Sequence, residues 1–274
     1  MDSYAVIGHP IAHSQSPKIH AEFAKQTKQN LSYVAIEAPI DGFFNTLKDF
    51  EAAGGKGCNV TLPFKTEAFE IADSHSQLAI EAGAANTLVF KDNKIFADST
   101  DGPGLIQDIT NNHHYSLRQK KILILGAGGV VKCIAGPLLA QAPASLVIAN
   151  RTVEKAERIA KQFEMRGEID SAGLSDIPDE PFDLIINATS ASINGKVPAI
   201  STKLISKQTW CYDLFYSKQA TAFLTWAKQL GAAECIDGLG MLVEQAAAAF
   251  YLWRGVYPET KSVIAMLRNS QNPK

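Results

Sequence analysis

The 274-residue sequence has no CxxC pair, and its four cysteines (Cys58, Cys133, Cys211, Cys235) lie far apart. That spacing gives neither a short disulfide framework nor a zinc-finger pattern. An excess of one charge is also missing: 26 basic residues stand against 28 acidic ones, for a net charge of −2. Nucleic-acid binders carry a basic excess or stripe, so that class of partner is not expected. No apolar run reaches the roughly 18 residues of a membrane span, and the opening MDSYAVIGHP lacks the basic start of a signal peptide and reads better as a strand. The sequence has no repeat of fixed period, no low-complexity tract and no compositional linker. His113-His114 are neighbours in a polar loop, and His9 and His13 straddle Pro10, so neither pair has metal-ligand geometry and no metal is expected. With 46% hydrophobic and 20% charged residues, a globular protein of about two domains is expected. The expectation is a cytoplasmic enzyme or binding protein with a small-molecule partner, a monomer or homodimer, touching neither nucleic acid nor membrane.

Strand and helix patterns alternate along the chain. Strands are predicted at Tyr4–Ile7, Leu31–Ile36, Gly57–Val60, Thr87–Phe90 and Lys94–Ala97, the last two around an Asp92-Asn93 turn. Between them lie helical patterns at Pro17–Thr27, Gly42–Ala53, Lys65–Ile71 and Ser76–Ala82. From Lys121 the alternation restarts with strands Ile122–Leu125, Leu146–Ala149, Phe182–Asn187 and Trp210–Leu214. Such βα alternation predicts mostly parallel sheets covered by helices on both faces. The boundary is placed within Asp101–Gln119. The apolar helices Met241–Trp253 and Ser262–Leu267 suit either lobe. Cys58 is expected to be a buried thiol, and Trp226 and Trp253 to pack between helices.

Ile122–Leu125 ends in Gly126-Ala127-Gly128-Gly129-Val130-Val131 and leads into a helix. Gly126 suits the tight turn, and Gly128 lets the backbone approach a pyrophosphate at the helix N-terminus. Val131 in the third position makes this a looser fingerprint than G-x-G-x-x-G/A. The next strand ends Asn150-Arg151-Thr152, with Lys155 one turn on. An NAD site ends that strand in an acid that holds the ribose 2′-hydroxyl. Arg151 there favours a 2′-phosphate, which a guanidinium bonds in a fork, so the cofactor predicted is NADP. The alternative for Arg151 is a solvated strand-end residue.

Ser14 and Ser16 precede Pro17, which suits the first helical position with Ser16 as N-cap. Two hydroxyls beside a helix N-terminus also suit a carboxylate. Asn59, Thr61 and Lys65 follow a strand at the edge where α/β folds bind ligands. Asn86 ends a small-residue segment, and Asp101 follows a later strand. A Lys and an Asp suit a shared proton network at a carbonyl or alcohol.

Together the strings YAVIGHPIAHSQSP, GCNVTLPFK, AGAANTL, DSTDGPG, ILILGAGG, ANRT, DLIINATS, YDLFY and DGLGMLVEQAAAAFYLW resemble the shikimate dehydrogenase family over nearly the whole chain. The resemblance implies an N-terminal open α/β substrate domain and a Rossmann-type NADP domain with a cleft between them. Residues 1–101, completed by C-terminal helices 239–274, would form the first domain, and residues 102–238 the second. It implies that Ser14 and Ser16 bind the shikimate carboxylate, and that Asn59, Thr61, Lys65, Asn86, Asp101 and Gln245 surround the ring hydroxyls, with Tyr216 reaching the ligand. Cofactor contacts would come from Gly126, Ala127, Gly128, Gly129, Val130, Asn150, Arg151, Thr152 and Lys155, with Leu214 and Gly238 near the nicotinamide. Three departures stand out. Ser99 replaces a common Asn, Val130-Val131 replace smaller residues, and Leu214 stands where Met is frequent.

The reaction the resemblance implies is reversible reduction of 3-dehydroshikimate to shikimate by NADPH, in the chorismate route to aromatic amino acids. Lys65 would be the proton partner and Asp101 its orienting carboxylate. Two rivals are a quinate/shikimate dehydrogenase with relaxed substrate or cofactor choice, and a non-catalytic ligand-sensing regulator on the same scaffold. Arg151 argues against NAD preference. Retention of both Lys65 and Asp101 argues against the regulator.

Overall fold

The computed structural model describes residues 1–271. Residues 1–105 pack with 242–266 as one unit, and 106–241 pack with the stretch from Leu267 as a second.

In the first unit, β1 (Asp2–Gly8), α1 (Ser16–Gln26), β2 (Leu31–Glu37), α2 (Phe43–Ala52), β3 (Gly55–Val60), α3 (Lys65–Glu70), β4 (Ser74–His75), α4 (Gln77–Ala82), β5 (Thr87–Lys91) and β6 (Lys94–Asp98) precede α5 (Asp101–Gln107). The sheet order is β2-β1-β3-β5-β6-β4. Pairs β1–β2, β1–β3 and β4–β6 are parallel, whereas β3–β5 and β5–β6 are antiparallel. The β5–β6 hairpin turns on Asp92 and Asn93, both at positive φ. That is the left-handed pair a two-residue hairpin requires, and Asp and Asn tolerate it.

The second unit holds β7 (Lys121–Leu125), α6 (Gly129–Leu139), β8 (Ser145–Asn150), α7 (Val153–Phe163), β9 (Ile169–Gly173), β10 (Leu184–Asn187), β11 (Trp210–Asp213), α8 (Ala222–Gln229) and β12 (Glu234–Asp237). Its order is β12-β11-β10-β7-β8-β9, parallel throughout. Helices α9 (Leu239–Arg254) and α10 (Lys261–Gln271) complete the chain. Of the expected return of 239–274 to the first unit, residues 242–266 pack there. The stretch from Leu267 packs with the second unit, where the Arg268 guanidinium pairs with Asp237, and residues 272–274 lie outside the described residues.

Several expectations need correction. Asp101–Gln119 begins as helix α5, because Pro103 falls in its first turn, where a missing N–H costs nothing. A π-helical turn follows at Asp108–Asn112. Strand β10 starts at Leu184 rather than Phe182. Ser16 is not the N-cap: α1 already includes it, and the Ser14 hydroxyl accepts its N–H at 3.3 Å.

The cores follow the strand pattern. Ala5, Ile7, Cys58 and Leu88 pack against Phe43, Leu47 and Phe64. Leu123, Leu125, Ile185 and Cys211 pack with Phe223 and Leu224. Burial raises the pKa of both thiols, as expected of inert core cysteines. Trp253 stacks on Tyr4 at 4.6 Å and donates to the Leu88 carbonyl, and Trp226 packs beside Phe223, so both tryptophans are packing residues.

His20 on α1 is fully buried, stacked on Tyr33 at 4.0 Å between rings. Burial pushes its pKa down to about 3, against a smaller opposing effect of Asn59. The unfolded chain, with a histidine near 6.5, binds a proton that the native state refuses. His20 therefore stabilises the fold fully above pH 6.5, and the contribution fades as pH falls toward 3. Between pH 7 and 5 the loss should be about 2 kcal/mol. Urea midpoints at the two pH values should show it, and His20→Leu should remove most of the difference. An undiminished difference in the variant would assign the acid sensitivity to other groups.

Candidate active site

Strand β3 carries Asn59 at its C-terminal end, and the chain turns through Thr61 and the cis Leu62-Pro63 bond into Lys65, the first residue of α3. A neighbouring turn leaves β1 through the cis His9-Pro10 bond, and the two interlock. His9 N–H donates to the Leu62 carbonyl at 2.9 Å and Thr61 N–H to the Ile7 carbonyl at 3.0 Å. Gly8 is required here, because a Cβ would lie 2.4 Å from the Thr61 methyl.

Lys65 and Asp101 meet. The Lys65 ammonium donates to Asp101 Oδ2 at 2.6 Å, with side chains only 10% and 9% exposed. Lys65 is also fixed through its backbone, whose carbonyl accepts from Ala85 N–H at 2.8 Å beside Asn86. Asn86 is fully engaged. Its amide donates to Thr100 Oγ1 and Gln245 Oε1, and its side-chain carbonyl accepts the Thr100 N–H at 2.7 Å. The Gln245 amide donates in turn to the Leu242 carbonyl at 2.8 Å. Asn59 donates to the Asn86 backbone carbonyl and to Thr87 Oγ1 and accepts from the Tyr33 hydroxyl at 2.8 Å. Ser16, Asn59, Lys65, Asn86, Asp101 and Gln245 are buried, whereas Ser14 and Thr61 are half-buried. Ser14, Ser16, Asn59, Thr61, Lys65, Asn86, Asp101 and Gln245 all fall in the first unit. Tyr216 belongs to the second, where burial and the Asp237 charge raise its phenol pKa.

Thr87, Thr100, Tyr33 and His20 were not among the expected site residues. Thr87 and Thr100 lie inside the motif strings that carried Asn86 and Asp101, but a string does not reveal which side chain holds which.

In the second unit, Gly126 adopts φ +111° and donates its N–H to the Ala149 carbonyl at 2.7 Å. Gly128 caps α6 without any side-chain hydrogen bond, and a Cβ on Gly128 or Gly129 would meet nothing within 4 Å. The first turn of α6 thus has an open approach and backbone N–H donors of the kind that hold a pyrophosphate. Val131, in the fingerprint's third position, is buried, so the larger side chain is absorbed in packing. Arg151, Thr152 and Lys155 are exposed, Ala127 and Val130 are half-buried, and the Asn150 amide donates to the Thr152 carbonyl at 2.8 Å. The donor set fits a dinucleotide carrying an extra phosphate on its ribose. Leu214 and Gly238 are adjacent, for a Cβ on Gly238 would come within 2.2 Å of the Leu214 carbonyl oxygen. A further feature absent from the expected set is buried Asp213. It accepts from Asn187, Thr221 and the Phe215 N–H and so fixes the chain around Leu214, and burial raises its pKa. No group of side chains able to hold a metal occurs among the described residues, and no described helix is long and apolar enough to cross a membrane.

Three family models match the chain: the shikimate dehydrogenase substrate binding domain at residues 6–88, shikimate/quinate 5-dehydrogenase at 105–200, and the shikimate 5′-dehydrogenase C-terminal domain at 238–268. A shikimate dehydrogenase (NADP(+)) of Hahella chejuensis is 54% identical, with 98% of this chain and 99% of that protein covered. The chain belongs to the shikimate dehydrogenase family. Among solved structures, an Ael1 enzyme from Pseudomonas putida superposes with a TM-score of 0.91 at 43% identity, covering 97% of this chain and 98% of that one. The shikimate 5-dehydrogenase of Thermus thermophilus, solved with NADP(H) and shikimate, gives 0.87 at 30% identity, covering 99% and 100%.

Arg151 generates a direct prediction. Arg151→Ala should weaken NADPH binding by one to two decades, the roughly 1.5–3 kcal/mol of a charge-assisted contact to phosphate, and weaken NADH much less. Fluorescence titration of the reduced cofactors checks this. Equal losses for both would assign Arg151 to adenine stacking or to the fold.

Proposed function

We propose that the protein catalyses the reversible reduction of 3-dehydroshikimate to shikimate with NADPH, a cytoplasmic step toward chorismate and the aromatic amino acids. The observation that carries the reading is the buried Lys65–Asp101 pair, set beside Asn59, Asn86 and Gln245 in a member of this family.

The first unit would hold the substrate and the second the cofactor. Gly126, Ala127, Gly128, Gly129 and Val130 would receive the pyrophosphate, Asn150, Arg151, Thr152 and Lys155 the 2′-phosphate end, and Leu214 and Gly238 the nicotinamide. When bound, NADPH supplies the hydride. Ser14, Ser16 and the N-terminal turn of α1 would receive the substrate carboxylate, away from the reacting carbon. As the ketone becomes an alcohol, its oxygen needs one proton. Lys65 donates that proton from Nζ, becomes a neutral amine, and is recharged from solvent. Oxidation of shikimate runs the same transfer backward. Asp101 orients Nζ and balances its charge, so the ammonium stays in place where few water molecules reach. Asn59, Asn86, Gln245 and Tyr216 complete the ring's surroundings.

Turnover of 3-dehydroshikimate with NADPH, compared with NADH and with quinate as the alcohol, tests the assignment. Faster turnover of shikimate with NADP+ than of quinate, or of shikimate with NAD+, is expected. Ligand binding without any cofactor turnover would establish a sensing protein instead.

Lys65→Met keeps the stem and removes the charge. It should lower kcat by about 10²–10⁴, the usual yield of a positioned acid or base, while NADPH affinity stays unchanged. Asp101→Asn should also reduce turnover, and the double variant should fall well short of the product of the two losses, as groups acting together do. Stopped-flow single turnovers measure this. A normal kcat with only a raised KM in Lys65→Met would reduce Lys65 to a binding residue.

A further inference from the structure

We infer that Tyr33, held flat by His20, is a positioning residue that locks the Asn59 side chain in one orientation, so that Asn59 offers the bound substrate an acceptor and no donor. The inference rests on the functional reading above and deepens it. Neither Tyr33 nor His20 belongs to the set assigned to the ligand.

The polarity of Asn59 follows from its partners. Both amide hydrogens are committed inside the protein, one to the Asn86 carbonyl at 3.2 Å and one to Thr87 Oγ1 at 3.0 Å. A flipped amide would set its oxygen against the Asn86 carbonyl, two acceptors facing each other, so the orientation is fixed. The Tyr33 hydroxyl must then be the donor to Asn59 Oδ1, at 2.8 Å. Oδ1 therefore presents only lone pairs, with the Tyr33 hydroxyl and the His20 ring as the protein groups beside it.

The fold explains how Tyr33 reaches Asn59. It lies on edge strand β2, in register with Tyr4 on β1, which pairs with Gly57 on β3. Asn59 is two residues beyond Gly57 and so on the same face. The ring spans that diagonal because His20 stacks on it nearly parallel, at 4.0 Å and 6°. Trp253 closes the group, and a Cβ on Gly57 would lie 2.7 Å from its indole nitrogen. Phenylalanine would fill the same stack. Tyrosine adds one hydroxyl, which donates to Asn59 and also lies beside the Ser16 side chain.

The chemical consequence is regiochemical. A ketone oxygen accepts and cannot donate, so it finds no partner at Asn59. A hydroxyl that stays a hydroxyl in both oxidation states does. Lys65, a donor, suits the oxygen that alternates between ketone and alcohol. The two residues of opposite hydrogen-bond sense turn the ring so that the reacting carbon faces Lys65.

The test compares wild type, Tyr33→Phe, Asn59→Ala and the double variant in shikimate oxidation and in direct shikimate binding by calorimetry. Tyr33→Phe should raise KM and Kd for shikimate about 3- to 12-fold, the equivalent of one neutral hydrogen bond. The KM for NADP+ should stay within about twofold and the thermal midpoint within a few degrees. In the Asn59→Ala background the same change should alter KM less than about twofold, since the group it acts through is gone. An unchanged shikimate KM in Tyr33→Phe overturns the proposal, and so does an equal rise in both backgrounds, which marks a general structural effect. A wild-type protein that neither binds nor oxidises shikimate overturns the functional reading and this proposal with it.

Discussion

The first unit is organised around a lysine and an aspartate that meet in a site nearly closed to water, Lys65 Nζ at 2.6 Å from Asp101 Oδ2. Removing two charges from water costs several kcal/mol each, and their attraction rarely returns more than that. An apolar pair of similar volume would serve stability as well. Under the proposed function, the arrangement is a constraint that chemistry places on the fold. It requires the turn from β3 to deliver Lys65 at the start of α3, and α5 to begin at Asp101. It also requires the Ala85–Asn86 segment to hold both sides, by the Ala85 N–H on the Lys65 carbonyl and the Asn86 amide on Thr100. Removing Lys65 alone would leave the buried Asp101 carboxylate without its ammonium, at about 3–5 kcal/mol.

The second unit, proposed to hold the cofactor, depends on a different physics. There the backbone sets the geometry, through a glycine at φ +111°, a helix N-terminus without a side-chain cap, and a close passage of Gly238 over Leu214. Arg151 and Lys155 are exposed, so under the proposed function their contribution would arise from geometry and charge at a ligand phosphate, against competing water. Buried Asp213, accepting from Ser192, Thr221, Asn187 and the Phe215 N–H, steadies the same edge of the sheet.

Legibility in the sequence followed burial. Strands β1, β3, β7, β8 and β11 declared themselves because apolar runs face packed helices, and the Asp92-Asn93 hairpin did so through turn chemistry. The strands that escaped, β4, β9 and β12, all lie at sheet edges and are short, whereas the remaining edge strand, β2, was legible because its seven residues carry Leu31, Tyr33, Val34 and Ile36 despite their exposure. Motif strings identified Lys65 and Asp101 as residues, but not their meeting, because 36 positions separate them and only the fold closes that loop. Ser16 misled for a local reason. Ser-Pro is a strong N-cap pattern, yet here Ser14 supplies the hydroxyl and the helix begins one residue early. Tyr33 and His20 were silent because an aromatic on a strand and a histidine on a helix are ordinary core residues until their partner is known.

The central claim is that Lys65 supplies the proton during hydride transfer. Chemical rescue of Lys65→Ala by added primary amines tests it most directly. The account predicts that ethylamine and its β-fluorinated analogues restore single-turnover NADPH oxidation in proportion to concentration, with a rate that varies systematically with amine pKa. Restored shikimate binding with no recovery of turnover at any amine concentration would contradict it.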